Sequence, residues 1–308
     1  MPRFDAVIVG GGPAGLSAAL ILGRCRRHIL LCDDGQPRNA RSRALHGFLT
    51  RDGVQPSELL NIGREQLRTY PTVQTSEVQV RDARRSADHF ELTLADGARI
   101  TCRKLLLATG VTDDLPAVAG LPELYGTSVF HCPYCDGWEV RDQSIAIYGE
   151  GNAAAGLALE LTAWSRHLVA CTDGGPMAQR DADRLAAHGI AVRQEPIERL
   201  EAVDGQLERI IFKAGPHHLC RALFFSTGSH QRSDLAARLG CTFTEKGAVA
   251  TGEYETTNVP GLYVAGDASR LIHLAIVAAA EGAQAAFAIN TSLLKEDLAT
   301  GYHVSAPT

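Results

Sequence analysis

Two cysteines, Cys132 and Cys135, are separated by two residues and are followed directly by Asp136. A Cys-x-x-Cys pair at the head of a helix forms and breaks a disulfide readily, because the helix dipole lowers the pKa of one thiol and only a thiolate attacks a disulfide. Asp136 is positioned to give or take the proton. The same spacing is half of a zinc site, but zinc needs four ligands and no second Cys-x-x-Cys or His-x-x-x-His occurs. The pattern therefore favours redox chemistry, and no metal site is predicted.

A glycine-rich turn near the N-terminus predicts a nucleotide-binding element. The apolar segment 5–9 has the composition of a buried strand and leads into Gly10-x-Gly12-x-x-Gly15, followed by a helical pattern. Gly10 allows the tight turn, Gly12 lets the backbone approach a pyrophosphate, and Gly15 lets helix and strand pack closely. The next strand ends at Asp33, near the spacing at which a carboxylate meets a ribose hydroxyl. These features together predict dinucleotide binding.

The same order of elements recurs in the second half of the chain. A second strand and glycine turn contain Gly149 and Gly151, and the strand after the following helix ends at Asp173. The segment 222–228 also echoes the segment 104–110, since both are apolar runs that end in Thr-Gly. The sequence therefore predicts an α/β protein with two Rossmann-like, three-layer nucleotide-binding folds.

Two further segments contribute candidate binding residues. Residues 34–52 are polar and rich in Arg and Gly, which predicts a long loop; its His46 lies either near a cofactor ring or in a position without special function. Near the C-terminus a strand ends in Gly266-Asp267 and precedes a small-residue helix expected over 274–294. Asp267 either caps that helix, binds a ligand, or does both.

Length, charge and cysteine spacing limit the class of protein. A chain of 308 residues is long enough for two domains of ordinary size. The formal net charge of −5 and the absence of a basic run argue against nucleic-acid and anionic-membrane partners. No apolar signal core and no membrane-spanning run occur, and six cysteines are scattered singly, as is typical of reduced thiols. We therefore expect a cytoplasmic protein.

Taken together, these motifs resemble the low-molecular-weight thioredoxin reductase family of class II pyridine nucleotide-disulfide oxidoreductases. The most specific feature is Cys-x-x-Cys-Asp-Gly between two nucleotide-binding motifs. The resemblance implies a homodimer with one FAD per chain, a discontinuous FAD domain at 1–115 and 248–308, and a second nucleotide-binding domain at 116–247 that carries the cysteines. It also implies contacts to FAD from Gly12, Pro13, Ala14, Asp33, Thr109, Gly110 and Asp267, with the backbone of Leu274, Ala275 and Ile276 at the flavin ring.

The resemblance further implies a division of labour in the redox centre. Cys135 faces the flavin, Cys132 attacks the external disulfide, and Asp136 moves the proton. The substrate is then a disulfide or dithiol carried by a small protein or a metabolite. Chemical reasoning agrees, because one sulfur must exchange electrons with the flavin while the other stays reachable by substrate.

The second nucleotide site departs from members that use NADPH, which carry a glutamate pair facing the nicotinamide and a His-Arg-Arg that binds the 2′-phosphate. This chain has Gly156-Leu157 and Thr172-Asp173-Gly174 there, and His273-Leu274 replaces the usual Arg-Gln. Asp173 repels a 2′-phosphate and suits a free ribose diol, so NADPH is disfavoured. Three interpretations remain: an NADH-using reductase, a protein with a second FAD in that site, and a dithiol oxidase that uses oxygen. The non-enzymatic alternative is an FAD-binding protein without catalytic activity, in which the two cysteines form a structural disulfide.

Overall fold

A computed structural model describes residues 1–149 and 152–301, so Gly151 of the second glycine turn lies outside the described residues. The strands within these ranges are, in chain order, β1 (Arg3–Val9), β2 (Ile29–Asp33), β3 (Val73–Glu77), β4 (Val80–Arg85), β5 (Phe90–Leu94), β6 (Arg99–Leu107), β7 (Val111–Asp113), β8 (Val129–Phe130), β9 (Ile145–Tyr148), β10 (Leu168–Cys171), β11 (Ala191–Arg193), β12 (Ile197–Val203), β13 (Gln206–Phe212), β14 (His218–Leu219), β15 (Ala222–Phe225), β16 (Ser229–Gln231) and β17 (Leu262–Val264).

Helices connect the parallel strands at the start of each of the two large sheets, as is typical of an α/β protein. In the same described ranges they are α1 (Pro13–Arg24), α2 (Pro56–Leu67), α3 (Leu121–Leu124), α4 (Pro133–Asp136), α5 (Asn152–Leu161), α6 (Gln179–Ala187), α7 (Leu235–Arg238) and α8 (Ala275–Thr300), with a 3₁₀ turn at Glu253–Glu255.

The first sheet has the strand order β3-β2-β1-β6-β5-β4, and β17 pairs with the C-terminal part of β6. Strands β1, β2, β3, β6 and β17 pair in parallel, whereas β4 and β5 form an antiparallel extension. Val9 is in register with both Cys32 and Leu107, so three strands end at one edge of the sheet. Gly10, which follows at this edge, has φ +109°, and a Cβ there would clash with the Ala108 carbonyl. Only glycine fits this turn.

The second sheet is parallel throughout, with the order β11-β10-β9-β15-β8. Every residue of β9, β10 and β15 is buried, as expected where helices or other strands cover both faces. A three-stranded antiparallel sheet, β12-β13-β14, packs beside it, and a two-stranded ribbon pairs β7 with β16. The predicted α/β architecture with two Rossmann-like folds is confirmed, while the domain boundaries at 115 and 248 stay a prediction.

Helix α8 packs with α1 over one face of the first sheet, in a core built largely from small and branched side chains. It runs to Thr300, so the prediction that it ends near residue 294 is wrong. The apolar pattern stops there, but Asp297 accepts hydrogen bonds from buried Arg27 at 2.6 Å and pairs with Arg103 at 2.7 Å, which secures the last turns. Within the described ranges, no helix combines the length and apolar character needed to cross a membrane.

Candidate active site

A cavity of 1380 Å³ opens at the edge of the first sheet where β1, β2 and β6 end. Its lining contains eleven residues predicted to bind a cofactor: Gly10, Gly12, Pro13, Ala14, Asp33, Thr109, Gly110, Gly266, Asp267, Leu274 and Ala275. We call it the first cavity. Gly15 and Ile276 do not line it. Gly15 packs beneath the turn against Gly10, and Ile276 is 36% exposed.

The redox pair sits at the wall of this cavity. Cys132 caps the single-turn helix α4, Pro133 occupies its first position, and Cys135 lies within it. The two cysteines form a disulfide with their Cα atoms 5.3 Å apart, and the backbone N–H of Cys135 donates to the Cys132 carbonyl at 3.2 Å. Cys135 lines the first cavity and Cys132 does not. The pair therefore presents one sulfur toward the cavity and leaves the other to a half-buried position outside it.

Asp136 also lines the first cavity, next to Cys135. Burial raises the pKa of its carboxyl to about 7, and the negative charge of Glu139 contributes to this shift. A carboxyl group with such a pKa is present in both protonation states near neutral pH. Asp136 can therefore release a proton to a thiolate or take one from a thiol, which is the role predicted from its position after Cys135.

Between the disulfide and the cofactor edge lies a hydrogen-bonded group that we call the interdomain cluster: Arg38, Asp113, Tyr125, His131 and Asp267. The Arg38 guanidinium donates to Asp113 Oδ2 at 2.9 Å through Nε and to Asp267 Oδ2 at 2.8 Å through Nη1. Its Nη2 contacts His131 Nε2 at 3.2 Å, and the Tyr125 hydroxyl donates to Asp113 Oδ2 at 2.6 Å. The cluster thus links loops around the first sheet to the segment that carries the disulfide.

The cluster fixes the state of His131, the residue before Cys132. Arg38 can only donate, so His131 Nε2 accepts, and Nδ1–H then donates to the Tyr125 oxygen 3.1 Å away. Burial also lowers the pKa of His131 to about 4, which keeps the ring neutral. Because both ring nitrogens are engaged, His131 does not compete with Asp136 for the proton of the redox pair.

Sequence comparison assigns this site to a known family. Residues 4–282 match the family described as pyridine nucleotide-disulphide oxidoreductase. A probable thioredoxin reductase of Arthroderma benhamiae is 31% identical to this chain. The match covers 87% of this chain and 74% of the relative. The chain belongs to the pyridine nucleotide-disulphide oxidoreductases. Thioredoxin reductase tcpT of Claviceps purpurea is 32% identical over 85% of this chain and 86% of its own length.

The solved structure of a putative thioredoxin reductase TrxB from Bacillus anthracis superposes with a TM-score of 0.91 at 33% identity. The superposition covers 95% of this chain and 99% of the other. The predicted resemblance to low-molecular-weight thioredoxin reductases is therefore confirmed. This member of the pyridine nucleotide-disulphide oxidoreductases is a thioredoxin reductase-like, FAD-dependent disulfide oxidoreductase.

The first cavity fits the FAD that this family uses. Gly12 has φ −73°, which any residue can adopt, and a Cβ built on it meets no protein atom within 4 Å. Neither backbone strain nor packing in the protein thus accounts for a glycine at this position of the cavity wall, whereas a close-lying pyrophosphate does. Asp33, held by Arg64 at 2.9 Å, stands at the end of β2 where the ribose contact is predicted. These residues would hold the nucleotide part of FAD.

The second nucleotide site is arranged differently. Gly149 follows β9 and Asp173 follows β10, yet neither lines the first cavity. Both oxygens of Asp173 are engaged by the protein: Oδ1 accepts from the Ile197 N–H at 2.7 Å and Oδ2 from the Tyr148 hydroxyl at 2.9 Å. Asp173 therefore has a structural role in joining β9, β10 and β12. Its contact with a ribose stays a prediction.

Sequence reasoning missed three members of the interdomain cluster, namely Arg38, Asp113 and Tyr125, and gave His131 no role. The only available signal was the position of His131 next to Cys132. The other three come from a polar loop, from β7 and from the residue after α3, and no spacing in the sequence shows that these segments meet.

Proposed function

We propose that the protein exchanges two electrons between FAD and a small dithiol or disulfide at Cys132, and that these electrons enter from a dithiol rather than from NADPH. One observation carries the proposal. The redox pair opens into the first cavity through Cys135, whereas Gly149 and Asp173, the described candidates of the second nucleotide site, do not line it. An electron donor that acts at the disulfide therefore has a direct path to the cofactor.

The exchange follows ordinary thiol–disulfide chemistry. One substrate thiolate attacks Sγ of Cys132, the bond between Cys132 and Cys135 breaks, and the Cys135 thiolate leaves. The second substrate thiolate attacks its own sulfur in the mixed disulfide and releases Cys132, which yields the substrate disulfide. The substrate loses two electrons and two protons: Asp136 takes one proton, and the released Cys132 thiolate takes the other and becomes a thiol. FAD, when bound, supplies the two-electron acceptor that restores the disulfide, with oxygen as the proposed final acceptor.

The surroundings of Cys132 support a substrate that arrives from outside the first cavity. Two large aromatic residues flank the pair on the surface, Tyr134 at 66% and Trp138 at 64% exposure. Arg141 lies over the Trp138 ring, 4.0 Å from its centroid. Such a surface suits a partner that brings apolar and acidic groups to the disulfide, either a small protein of the thioredoxin type or a metabolite.

The chain is also proposed to work as a homodimer in the cytoplasm. Phe287, Leu294 and Leu298 stand on one face of α8 and are 60%, 48% and 74% exposed, and Tyr254 packs against Phe287 with ring centroids 5.8 Å apart. An apolar stripe of this kind is typical of a surface that a partner subunit covers. The six cysteines outside the redox pair are free, which agrees with a reducing compartment.

A second candidate function is an NADH-dependent disulfide reductase. The sequence after β10 is Thr172-Asp173-Gly174, so the position that would meet a 2′-phosphate carries an acid rather than a base. This favours NADH over NADPH if a pyridine nucleotide binds there.

The test is to count flavin per chain after heat release and to titrate the protein anaerobically with dithiothreitol, NADH and NADPH. We expect one FAD per chain, bleaching by the dithiol, oxygen uptake with the dithiol alone, and little response to NADPH. Rapid bleaching by NADPH would contradict the proposal. Selective bleaching by NADH supports the second candidate, and two flavins per chain indicate FAD in the second site.

A further inference from the structure

A second cavity of 470 Å³ adjoins the first, and Asp136 lines both of them. His46 also lines both, while Glu139, Arg43 and Arg221 face only the second. Neither Cys132 nor Cys135 contributes to the second cavity. Asp136 therefore also faces a separate cavity that neither cysteine of the redox pair lines.

His46 stands between two carboxylates in this space. Its Nε2 lies 3.5 Å from Glu139 Oε1, and its Nδ1 lies 3.7 Å from Asp52 Oδ1. Side-chain exposure is 22% for His46, 38% for Glu139 and 74% for Asp52. Glu139 and Asp52 both reach solvent, and His46, the least exposed of the three, lies between them with a carboxylate oxygen within 4 Å of each ring nitrogen.

The proposed reaction needs such a connection. Each exchange at the disulfide adds protons to the site or removes them, and Asp136 is a half-buried group that must return to its starting protonation state before the next turnover. A cavity of this size with charged side chains in its wall has room for several water molecules, which can bridge proton donors and acceptors that do not touch directly. An imidazole takes up a proton on one nitrogen and releases one from the other.

We propose that the second cavity is the proton route of the active site, in which Glu139 and His46 pass protons between Asp136 and the solvent beside Asp52. This inference rests on the proposed function, because it assumes that thiol–disulfide exchange takes place at Cys132. Glu139 has a second effect in this arrangement: its negative charge favours the protonated form of Asp136. Glu139 and His46 act through Asp136 and are positioning residues.

The other groups around Asp136 do not offer an equivalent route. Arg43 and Arg221 line the second cavity, but a guanidinium only donates hydrogen bonds and offers no acceptor for a proton. On the side of the first cavity, burial and the hydrogen bond to Asp113 raise the pKa of Tyr125, and His131 has both nitrogens engaged. Of the side chains facing Asp136, Glu139 and His46 are the pair that connects it to an exposed acid.

The first test measures the anaerobic reduction of the bound flavin by dithiothreitol in Glu139→Gln, His46→Asn and the double variant. In dilute buffer we expect the double variant to be about tenfold slower than wild type, with the rate restored by added imidazole, as for a general acid–base residue that small buffers replace. Wild type should not depend on buffer concentration. The control is a His188→Asn, Glu160→Gln variant, which changes the same residue types at exposed positions outside both cavities.

Unchanged rates in the double variant would overturn the proton route, and so would slow rates that imidazole leaves slow in correctly folded protein with full flavin content. If the dithiol fails to reduce wild-type flavin, the proposed function itself is wrong. These two failures are therefore distinguishable within one experiment.

A second measurement does not depend on turnover. The carboxyl stretching band of Asp136, assigned by its loss in Asp136→Asn, can be titrated by infrared spectroscopy. In wild type the band should titrate near pH 7, and in Glu139→Gln its midpoint should shift to lower pH, since a negative neighbour has been removed. An unchanged midpoint would show that Glu139 does not act on Asp136 and would contradict the inference.

Discussion

The two glycine turns of this chain follow the same sequence pattern but have different surroundings. At the first, Gly10 and Gly12 border the same cavity as Asp33 and Cys135. At the second, Gly149 follows β9 and does not line that cavity, and the two oxygens of Asp173 accept hydrogen bonds from Tyr148 and Ile197. Asp33 also has both oxygens bound, by the Gly35 N–H at 3.3 Å and by Arg64 at 2.9 Å, so the two turns differ in the cavity beside them and not in whether their acids are engaged.

This difference shows that a nucleotide-binding pattern does not by itself define a route for electrons. The redox pair lies on α4, and Cys135 lines the same cavity as the first turn. The interdomain cluster links the loops around the first sheet to the segment that carries the redox pair, and we expect it to govern how close the second turn comes to that space. The predictions below separate the two turns experimentally.

The largest effect is expected from Cys135→Ser. Without the second sulfur no internal disulfide forms, so dithiol-driven reduction of the flavin should fall about 10³-fold or more. FAD content should stay at the wild-type value, because the nucleotide contacts are untouched. The matched control is Cys25→Ser at an exposed free thiol, measured by the same stopped-flow bleaching. Flavin reduction by dithiol at the wild-type rate in Cys135→Ser would show that electrons bypass the disulfide.

A smaller loss, about 10²-fold, is expected for Asp136→Asn, which removes the base but keeps the shape of the side chain. In wild type, the rate of dithiol-driven reduction should rise as the pH passes about 7, where the Asp136 carboxyl ionises, and should then level off. The variant should lose this inflection. Asp142→Asn, at an exposed acid with φ 61° that asparagine tolerates, is the control. The same inflection in Asp136→Asn would assign it to another group.

The free energy of unfolding should depend on the same ionisation of Asp136. It should fall with rising pH, whereas the reduction rate rises. The folded protein holds the Asp136 proton up to about pH 7, whereas an ordinary aspartate has a pKa of 3.8. Because the folded state binds more protons in this window, its free energy of unfolding falls as the pH rises from 3.8 to about 7, by up to about 4 kcal/mol. Urea titrations of wild type and Asp136→Asn at several pH values measure this contribution, which the variant should lack.

Gly12→Ala tests the first turn directly. The new methyl group meets no protein atom but extends into the first cavity, so the fold should survive while FAD binds at least about tenfold more weakly, or about 1.4 kcal/mol. Gly156→Ala in α5 is the matched change near the second turn, since a Cβ there also meets nothing within 4 Å. It should leave FAD affinity unchanged. FAD affinity is measured by fluorescence titration of the apoprotein. Equal FAD affinities in Gly12→Ala and Gly156→Ala would contradict the claim that only the first turn binds FAD.

The sequence predicted the parts of this molecule that depend on short-range patterns. The first turn, the strands around it, the Cys-x-x-Cys helix and Asp136 all lie within continuous segments whose residue types define a local structure. The prediction for α8 ended too early, because what extends the helix is the pairing of Asp297 with Arg27 and Arg103 from distant strands and loops. The interdomain cluster was missed for the same reason, since Arg38 meets Tyr125 and His131 only through the tertiary fold.

The role of Asp173 shows a different limit. Its position after a strand correctly indicated the edge of the second sheet, and its charge argued against a 2′-phosphate. The sequence could not show that Tyr148 and the Ile197 backbone bind both carboxylate oxygens, because β12 is reached only after a helix and another strand. An acid at a predicted ligand position can therefore be required by the fold as well.

The smallest effect is expected from Tyr125→Phe, which removes one hydroxyl from the interdomain cluster. Asp113 keeps its hydrogen bonds from Arg38, but the Nδ1–H of buried His131 loses its acceptor, so the free energy of unfolding should fall by about 1–2 kcal/mol. The ribbon of β7 and β16 spans the same junction, and its amides should exchange hydrogen faster in the variant.

Tyr70→Phe provides the matched control, because the Tyr70 hydroxyl accepts a hydrogen bond from Arg24 at the surface, at 3.1 Å. It should leave both the unfolding free energy and the exchange of the ribbon close to wild type. If Tyr125→Phe speeds exchange at the ribbon and also raises the rate of flavin reduction by NADH, then the cluster is what keeps the second turn away from the first cavity. If exchange at the ribbon is the same in both variants, the cluster does not hold the two halves together, and the separation of the two turns must come from the packing of the sheets.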